Sequence, residues 1–228
     1  MNIAIILAGG TGSRMGADKP KQFIEVNGRS VIERCIDAFE SSPGIDEIAV
    51  VMHPQWTALM HEVAEQNTWK KLKKILEGGS ERYMSSLNAI AAYIDYPDDT
   101  NLLLHDAARP WVSQKVIART VQALTHHEAV AVGIPSTDTV WEVRQDFDKQ
   151  LSKFIVRIPE RSTMWRAQTP QAFRLPLIRD AYQHALQDPR FHATDDCGVV
   201  RNYLPGTKII IVPGEEQNRK ITFKEDLL

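Results

Sequence analysis

NIAIIL (residues 2–7) runs directly into LAGGTGSRMGADKPKQF (residues 7–23), and this junction decides the fold. An unbroken apolar run bounded by glycine is the pattern of a strand buried on both faces of a sheet. A Gly-rich turn at the end of such a strand lets backbone approach a ligand closely, most often a phosphate. The spacing excludes two common versions of that turn. A dinucleotide fingerprint needs G-x-G-x-x-G, but after Gly10 and Gly12 the third glycine position is Met15, and the next glycine is Gly16. A P-loop ends in Gly-Lys-Ser/Thr, whereas this loop reads Gly12-Ser13-Arg14. What it carries instead is Arg14, Lys19 and Lys21, with Pro20 fixing its own φ and restricting Lys19. Fixed cations on a short loop suit a triphosphate as negative charge builds on its α-phosphate and on departing pyrophosphate.

Outward from the loop the elements alternate. SVIERCIDAFESS (30–42) sets Val31, Ile32, Cys35, Ile36 and Phe39 at helical spacing, with Ser30 as N-cap. DEIAVVM (46–52) is a second strand, and EVAEQNTWKKLKKILEGG (62–79) passes from helix toward a short strand that stops at Gly78-Gly79. RYMSSLNAIAAYI (82–94) is helical, NLLLHDAARP (101–110) is a strand with a charged tip, and QKVIARTVQALTHH (114–127) is a helix. EAVAVGIP (128–135) reads as a strand, LPLIRDAYQHAL (175–186) as a helix, TKIIIVP (207–213) as the last strand and TFKEDLL (222–228) as the start of a terminal helix. This alternation predicts an α/β fold with a doubly wound, mainly parallel, Rossmann-like sheet in one domain over 1–228. Ligands then lie at the carboxyl ends of the strands, where Gly9–Lys21, Gly78–Ser85 and Asp106–Arg109 all fall.

Residues 136–162 break the pattern. Thr137, Thr139, Trp141 and Val143 alternate, and Phe154, Val156 and Ile158 alternate again after a polar turn, which predicts an inserted β-hairpin arm. A two-stranded arm is marginal alone, so it is expected to pack on a second subunit and make a homodimer.

Composition narrows the function classes. A net charge of -2 over 228 residues argues against coating nucleic acid by bulk electrostatics. No apolar run approaches the ~20 residues a membrane span needs. The first residues lack a basic region ahead of a long apolar one, and Cys35 and Cys197 have no metal or disulfide spacing, so a reducing cytoplasm is the expected compartment.

Two further stretches carry chemistry. In GGSERYMSS (78–86), Gly79 would let a base ring come close to backbone and to Ser85. In HDAARP (105–110), Asp106 ends a strand where a Mg²⁺–triphosphate would lie, and Arg109 would hold the site together or meet substrate. Taken singly, Thr169-Pro170 reads as a turn, Thr194-Asp195-Asp196 as a helix start and Lys220 as a surface charge. The histidines have no ligand spacing.

Together these motifs resemble the cytidylyltransferase family that makes 4-diphosphocytidyl-2-C-methyl-D-erythritol in the non-mevalonate isoprenoid pathway. A-G-x-G-x-R-M-G followed by P-K-Q is similar to residues 8–22, G-G-x-x-R-x-x-S to 78–85 and H-D-A-A-R-P to 105–110. D-T at 138–139, Q-T-P-Q at 168–171, T-D-D at 194–196 and N-x-K-I-T at 218–222 follow in the same order. The resemblance implies that Arg14 and Lys21 stabilise the transition state as a substrate phosphate attacks the α-phosphorus of CTP. It implies that Ala8, Gly9, Gly12, Gly79, Ser85 and Ala107 line the nucleotide site, with Asp106 beside the triphosphate and Mg²⁺. Arg109, Thr139, Arg161, Thr169 and Lys220 would serve the acceptor, a small polyol or sugar phosphate, in a site shared across a homodimer.

Three features depart from that family's pattern: Trp141 stands after Asp138-Thr139-Val140 where a lysine is common, TDDCGVVRN (194–202) replaces the usual T-D-D-A-S, and IPERSTMW (158–165) resembles the sister enzymes that cytidylylate ribitol or ribulose 5-phosphate. These lie on the acceptor side, so methylerythritol phosphate and a pentose-derived phosphate both stand as acceptors. An NAD(P)-dependent reductase would need an acidic ribose ligand at the second strand tip, where Met52-His53-Pro54 stands instead.

Overall fold

A computed structural model describes residues 1–10, 20–146 and 152–227. The chain opens with β1 (Asn2–Ala8), the small ribbon β2 (Glu25–Val26) and β3 (Arg29–Ser30), then α1 (Val31–Glu40) and β4 (Glu47–Met52). There follow α2 (Thr57–Glu65), β5 (Leu72–Glu77), α3 (Arg82–Ala92), β6 (Asn101–Asp106), α4 (Gln114–Leu124) and β7 (Ala129–Pro135). The hairpin strands β8 (Glu142–Asp146) and β9 (Ser152–Arg157) precede β10 (Trp165–Arg174), α5 (Leu175–Ala185), α6 (Asp196–Tyr203) and β11 (Ile210–Pro213).

Seven strands form the central sheet in the order β11-β7-β10-β6-β1-β4-β5. All neighbours run parallel except β10, which is antiparallel to both β6 and β7. Successive side chains of β1 go to opposite faces. Ile3, Ile5 and Leu7 join the core that holds Ile90 of α3 and Ile178 of α5, whereas Ala4, Ile6 and Ala8 join Ile36 of α1 and Ile117 of α4. Helices on both faces account for the continuous apolar run in β1, as expected of a doubly wound sheet. Ser30 caps α1 in a reciprocal capping box with Glu33.

From β1 the chain winds outward through β4 to β5, then returns to β6 on the other side of β1. The strand order therefore reverses between β1 and β6, and the crevice beyond their carboxyl ends is where such sheets bind ligands. Asp106 pairs with Leu7 at that end.

Two expectations need correction. Residues 165–174 are a core strand, not a connection with a turn at Thr169-Pro170. Proline cannot donate to a ladder, which is why it argues against a central strand. The strand accommodates Pro170 because its register with β7 shifts between Gln168 and Gln171. The terminal stretch forms a short 3₁₀ turn over Lys224–Leu227. No helix among the described residues is long and apolar enough to cross a membrane.

Candidate active site

The ends of β1 and β5 come so close that only glycine fits between them. A Cβ on Gly9 would stand 2.7 Å from Ser85 Oγ, and one on Gly79 would stand 2.2 Å from Met84 Cβ. Ser85, buried in α3, accepts a hydrogen bond from Gly79 N at 3.2 Å. Gly79 and Ser85 are thus locked together, with Gly9 packed against them. On the other side of β1, Ala107 N donates to Leu7 O at 3.0 Å, which sets Ala8 and Ala107 on adjacent strand tips.

The loop after β1 is pinned by a residue the sequence assigned no role. Gln22 is buried, and its Nε2 donates to Ala8 O at 2.8 Å and Gly10 O at 2.9 Å. Its neighbour Lys21 begins a 3₁₀ turn capped by Pro20 and donates from Nζ to Ile221 O at 2.7 Å. Arg14 and Gly12 lie outside the described residues.

Asp106 is the electrostatic centre. Arg82 Nε donates to its Oδ1 at 3.1 Å and Lys220 Nζ to its Oδ2 at 2.8 Å. Burial opposes ionisation here, but Arg82, Lys220 and Arg109 outweigh it and hold the Asp106 carboxyl well below the usual carboxylate range. Arg82 also donates from Nη1 to Asp196 Oδ2 at 2.7 Å, and Asp196 Oδ1 accepts from Tyr182 OH at 2.7 Å. Burial works against the charge of Arg82, yet Asp196 and Asp106 together raise its pKa. Gln171 of β10 completes this layer by accepting from Asp196 N and donating to Asp195 Oδ2. Asp195 caps α6, as the helix-start reading of 194–196 expected.

Behind Asp106 runs a chain of neutral hydrogen bonds. Asp106 N donates to Thr169 Oγ1 at 3.1 Å, and Thr169 Oγ1 lies 3.0 Å from His105 Nδ1. His105 Nε2 lies 3.0 Å from Arg109 O, a pure acceptor, so Nε2 carries the proton and Nδ1 accepts from Thr169. Burial pushes the His105 pKa down to about 4, so the ring is neutral near pH 7. Thr169 is itself buried, and its oxygen is committed to this chain of bonds. Arg109 bridges two segments, from Nη1 to Asn218 O at 2.8 Å and from Nη2 to Ala167 O at 3.2 Å.

Thr139 and Arg161 stand exposed at either end of the hairpin, Thr139 before β8 and Arg161 after β9. The structure brings the other described candidates into one crevice: Ala8, Gly9, Lys21, Gly79, Ser85, Asp106, Ala107, Arg109, Thr169 and Lys220. Arg82, Gln22, Asp196 and Asn218 belong with them and were not singled out. The signal for all four was their place inside the motifs GGSER, PKQ, TDD and NRKIT.

This geometry offers charge stabilisation. Arg82, Arg109 and Lys220 face the carboxylates Asp106 and Asp196, and Lys21 is held nearby on Ile221 O, an excess of positive charge suited to phosphate groups. His105 is engaged at both ring nitrogens and is not placed for proton transfer to a ligand. Among the described residues no three His, Cys, Asp or Glu side chains gather as a metal cage.

Known proteins resemble this chain over nearly its whole length. The family described as 2-C-methyl-D-erythritol 4-phosphate cytidylyltransferase matches residues 2–228. The chain is 45% identical over 224 residues to the 2-C-methyl-D-erythritol 4-phosphate cytidylyltransferase of Thermobifida fusca, covering 98% of this chain and 89% of that protein. It is 38% identical to the bifunctional ribulose 5-phosphate reductase/CDP-ribitol pyrophosphorylase of Haemophilus influenzae, covering 99% of this chain but 46% of that protein. In structure it resembles the 4-diphosphocytidyl-2C-methyl-D-erythritol synthase of Anaerococcus prevotii, with a TM-score of 0.84 and 30% identity over 100% of this chain and 92% of that one.

Proposed function

The chain belongs to the 2-C-methyl-D-erythritol 4-phosphate cytidylyltransferase family, and from that premise we propose that it transfers CMP from CTP to 2-C-methyl-D-erythritol 4-phosphate. It is a CTP-dependent nucleotidyltransferase. An oxygen of the acceptor phosphate bonds to the α-phosphorus of CTP, the bond from that phosphorus to the bridging oxygen breaks, and pyrophosphate leaves. The product feeds isoprenoid precursor synthesis.

The observation that carries this reading is the cluster of Lys220, Arg82 and Arg109 around Asp106 at the switch point of the sheet, with Lys21 tied to Ile221 O next to Lys220 in the chain. An acceptor phosphate is already an anion and needs no base to release its nucleophile. What it needs is positive charge that lets two anions meet and that receives the charge on pyrophosphate. Lys21 and Arg14 supply that charge, Lys220 and Arg161 hold the acceptor, and Thr139 lies beside it. Gly9, Gly79 and Ser85 bound the base. Arg109 and Thr169 brace the site from within.

Among the described residues no cage of metal ligands gathers, and Asp106 at the strand tip would be the protein ligand for a Mg²⁺ carried by the triphosphate. The metal would neutralise triphosphate charge. The chain works as one nucleotidyltransferase domain in the cytoplasm, as a homodimer joined by the β8–β9 arm. The apolar exposure of Trp141, Phe154 and Ile158 supports that assembly.

A pentitol phosphate is the second reading of the acceptor, favoured by the 38% identity to a CDP-ribitol pyrophosphorylase and by the resemblance of residues 158–165 to such enzymes. Pyrophosphate release from CTP, measured with methylerythritol 4-phosphate, ribitol 5-phosphate and ribulose 5-phosphate in parallel, decides between them. Methylerythritol 4-phosphate is expected to give the largest kcat/KM. A larger value for either pentose-derived phosphate reverses the assignment of acceptor, and no release with any of them removes the reading.

A further inference from the structure

Residues 218–222 cross the site as a strap tied at successive points. Asn218 O accepts from Arg109 Nη1, and Asn218 Nδ2 donates to Thr169 O, each at 2.8 Å. Lys220 Nζ reaches Asp106 Oδ2 at 2.8 Å. Ile221 N donates to Ala108 O at 2.8 Å, and Ile221 O accepts from Lys21 Nζ at 2.7 Å. Two lysines far apart in sequence are therefore located by two adjacent residues of one segment. Lysine has many rotamers to lose, so what fixes its tether matters.

The strap's downstream end is fixed by one side chain. Asp226 Oδ2 accepts from Thr222 N at 2.7 Å and from Phe223 N at 2.8 Å, the two N–H groups directly after Ile221. Ile221 is buried, but Phe223 is 55% exposed, so past Ile221 this turn has little apolar anchorage. The amides of Phe223 and Thr222 hold the Asp226 carboxyl below its ordinary pKa, with Arg219 and Lys21 as the charged groups near it. Asp226 is thus ionised and accepting at neutral pH.

We propose that Asp226 is a positioning residue for the transfer reaction, which sets the Ile221 carbonyl and the Lys220 backbone and, through them, both lysines. It acts through the strap and contacts no substrate. This inference rests on the reading of Lys21 and Lys220 as phosphate ligands. A misplacement of about 1 Å in a reacting constellation is enough to cost ~10²-fold in rate.

The test is steady-state kinetics of Asp226→Ala, Asp226→Asn, Lys21→Ala and Asp226→Ala/Lys21→Ala, alongside thermal unfolding. Asn retains an oxygen that can accept from both amides but carries no charge. Asp226→Ala is expected to lower kcat by ~10-fold or more and to raise KM for the acceptor, with KM for CTP within about 2-fold of the parent. Asp226→Asn is expected to recover most of kcat. The double variant should have a kcat no lower than that of Lys21→Ala, because Lys21 no longer needs its tether, while its KM for the acceptor still rises through Lys220. Unchanged kcat in Asp226→Ala, an Asn variant as slow as the Ala variant, or additive losses of kcat in the double variant would each overturn the inference. If Lys21→Ala keeps its kcat, the assigned role of Lys21 fails and takes the inference with it. If Lys21→Ala is slow and Asp226→Ala is not, the inference alone fails.

Discussion

Lys220 Nζ lies 2.8 Å from Asp106 Oδ2, and this pair joins the last segment of the chain to the middle of the sheet. It neutralises a buried carboxylate without using up the other cations. An incoming phosphate offers Lys220 a second anion, while Asp106 keeps Arg82 on its other oxygen. Lys220→Ala should therefore raise KM for the acceptor by ~10- to 100-fold, the value of a charge-assisted hydrogen bond. The change in KM for CTP should be small. Initial rates over a two-substrate matrix read both, and an effect confined to CTP would move Lys220 to the nucleotide side.

Arg82 carries a different consequence, because it bridges Asp106 and Asp196 from within the structure. Removing it leaves two buried carboxylates short of a partner, and breaking such a pair costs about 3–5 kcal/mol. At roughly 2–4 °C per kcal/mol for a domain of this size, Arg82→Ala should lower Tm by about 10 °C. Arg82→Lys, which cannot reach both carboxylates in a fork, should fall between. Differential scanning calorimetry at pH 7.5 gives the values. A Tm within about 2 °C of the parent for Arg82→Ala would mean that water takes over the role.

Gly9→Ala puts a methyl group 2.7 Å from Ser85 Oγ. Ser85 is buried and holds Gly79 N, so the clash is passed to the strand tip that the proposed function gives to the base. The variant should raise KM for CTP by ~10-fold or more, with a loss of about 1–3 kcal/mol for overpacking. Adding Ser85→Ala removes the oxygen and should restore stability but not CTP affinity. Isothermal titration with CTP and urea unfolding separate the two effects. Recovery of both would reduce Ser85 to a steric neighbour.

The sheet was legible in the sequence because its signal is local. Ile3–Ala8, Glu47–Met52 and Asn101–Asp106 are apolar runs with clear punctuation, and each becomes a parallel strand. β10 was not legible, since Gln168, Thr169, Pro170 and Gln171 interrupt its pattern with the residues of a turn. Those polar side chains face partners distant in sequence: Gln168 meets Glu215 and Asn218, Thr169 meets Asp106, and Gln171 meets Asp195 and Asp196. Only the folded chain supplies the reason for a polar core strand. The glycines of the site were readable for the same local reason as the strands. The pairing of Arg82 with Asp196 was not, because an ion pair over 114 residues has no sequence period.

His105 gives the site a pH dependence. Its folded pKa, pushed down to about 4 by burial, lies below the ~6.5 of an unfolded histidine. The unfolded chain therefore binds more protons between these values, and stability must rise with pH across that window. The contribution is fully present above pH ~6.5 and is lost as pH falls toward 4, and amounts to on the order of 3 kcal/mol. NMR should show the His105 ring neutral at pH 5, with both nitrogens still hydrogen-bonded. A His105 midpoint near 6.5 would mean that burial does not hold the ring neutral.

The hairpin is the most exposed apolar feature of the chain. Trp141 and Ile158 are each 59% exposed, and Phe154 is 50% exposed. The patch does not end with the arm: a Cβ on Gly133 would stand 3.6 Å from both Ile211 and Trp165, and those two side chains are themselves 49% and 45% exposed. A two-stranded ribbon holds its shape in water poorly without a surface to cover it, and a second copy of the chain provides one. Arg161, just past β9, would then be carried toward the partner's acceptor site. Phe154→Glu/Ile158→Glu puts two carboxylates into that contact, where desolvating them costs several kcal/mol. The variant should run as a monomer in light scattering at micromolar concentration. It should still bind CTP within about 2-fold of the parent, because Gly9, Gly79 and Ser85 belong to the sheet and to α3. Turnover of the acceptor should fall ~10-fold or more, chiefly through KM, since Arg161 no longer reaches its phosphate. An intact dimer, or a monomer with the parent's KM for the acceptor, would mean that each chain completes its own site and that the arm serves some other contact.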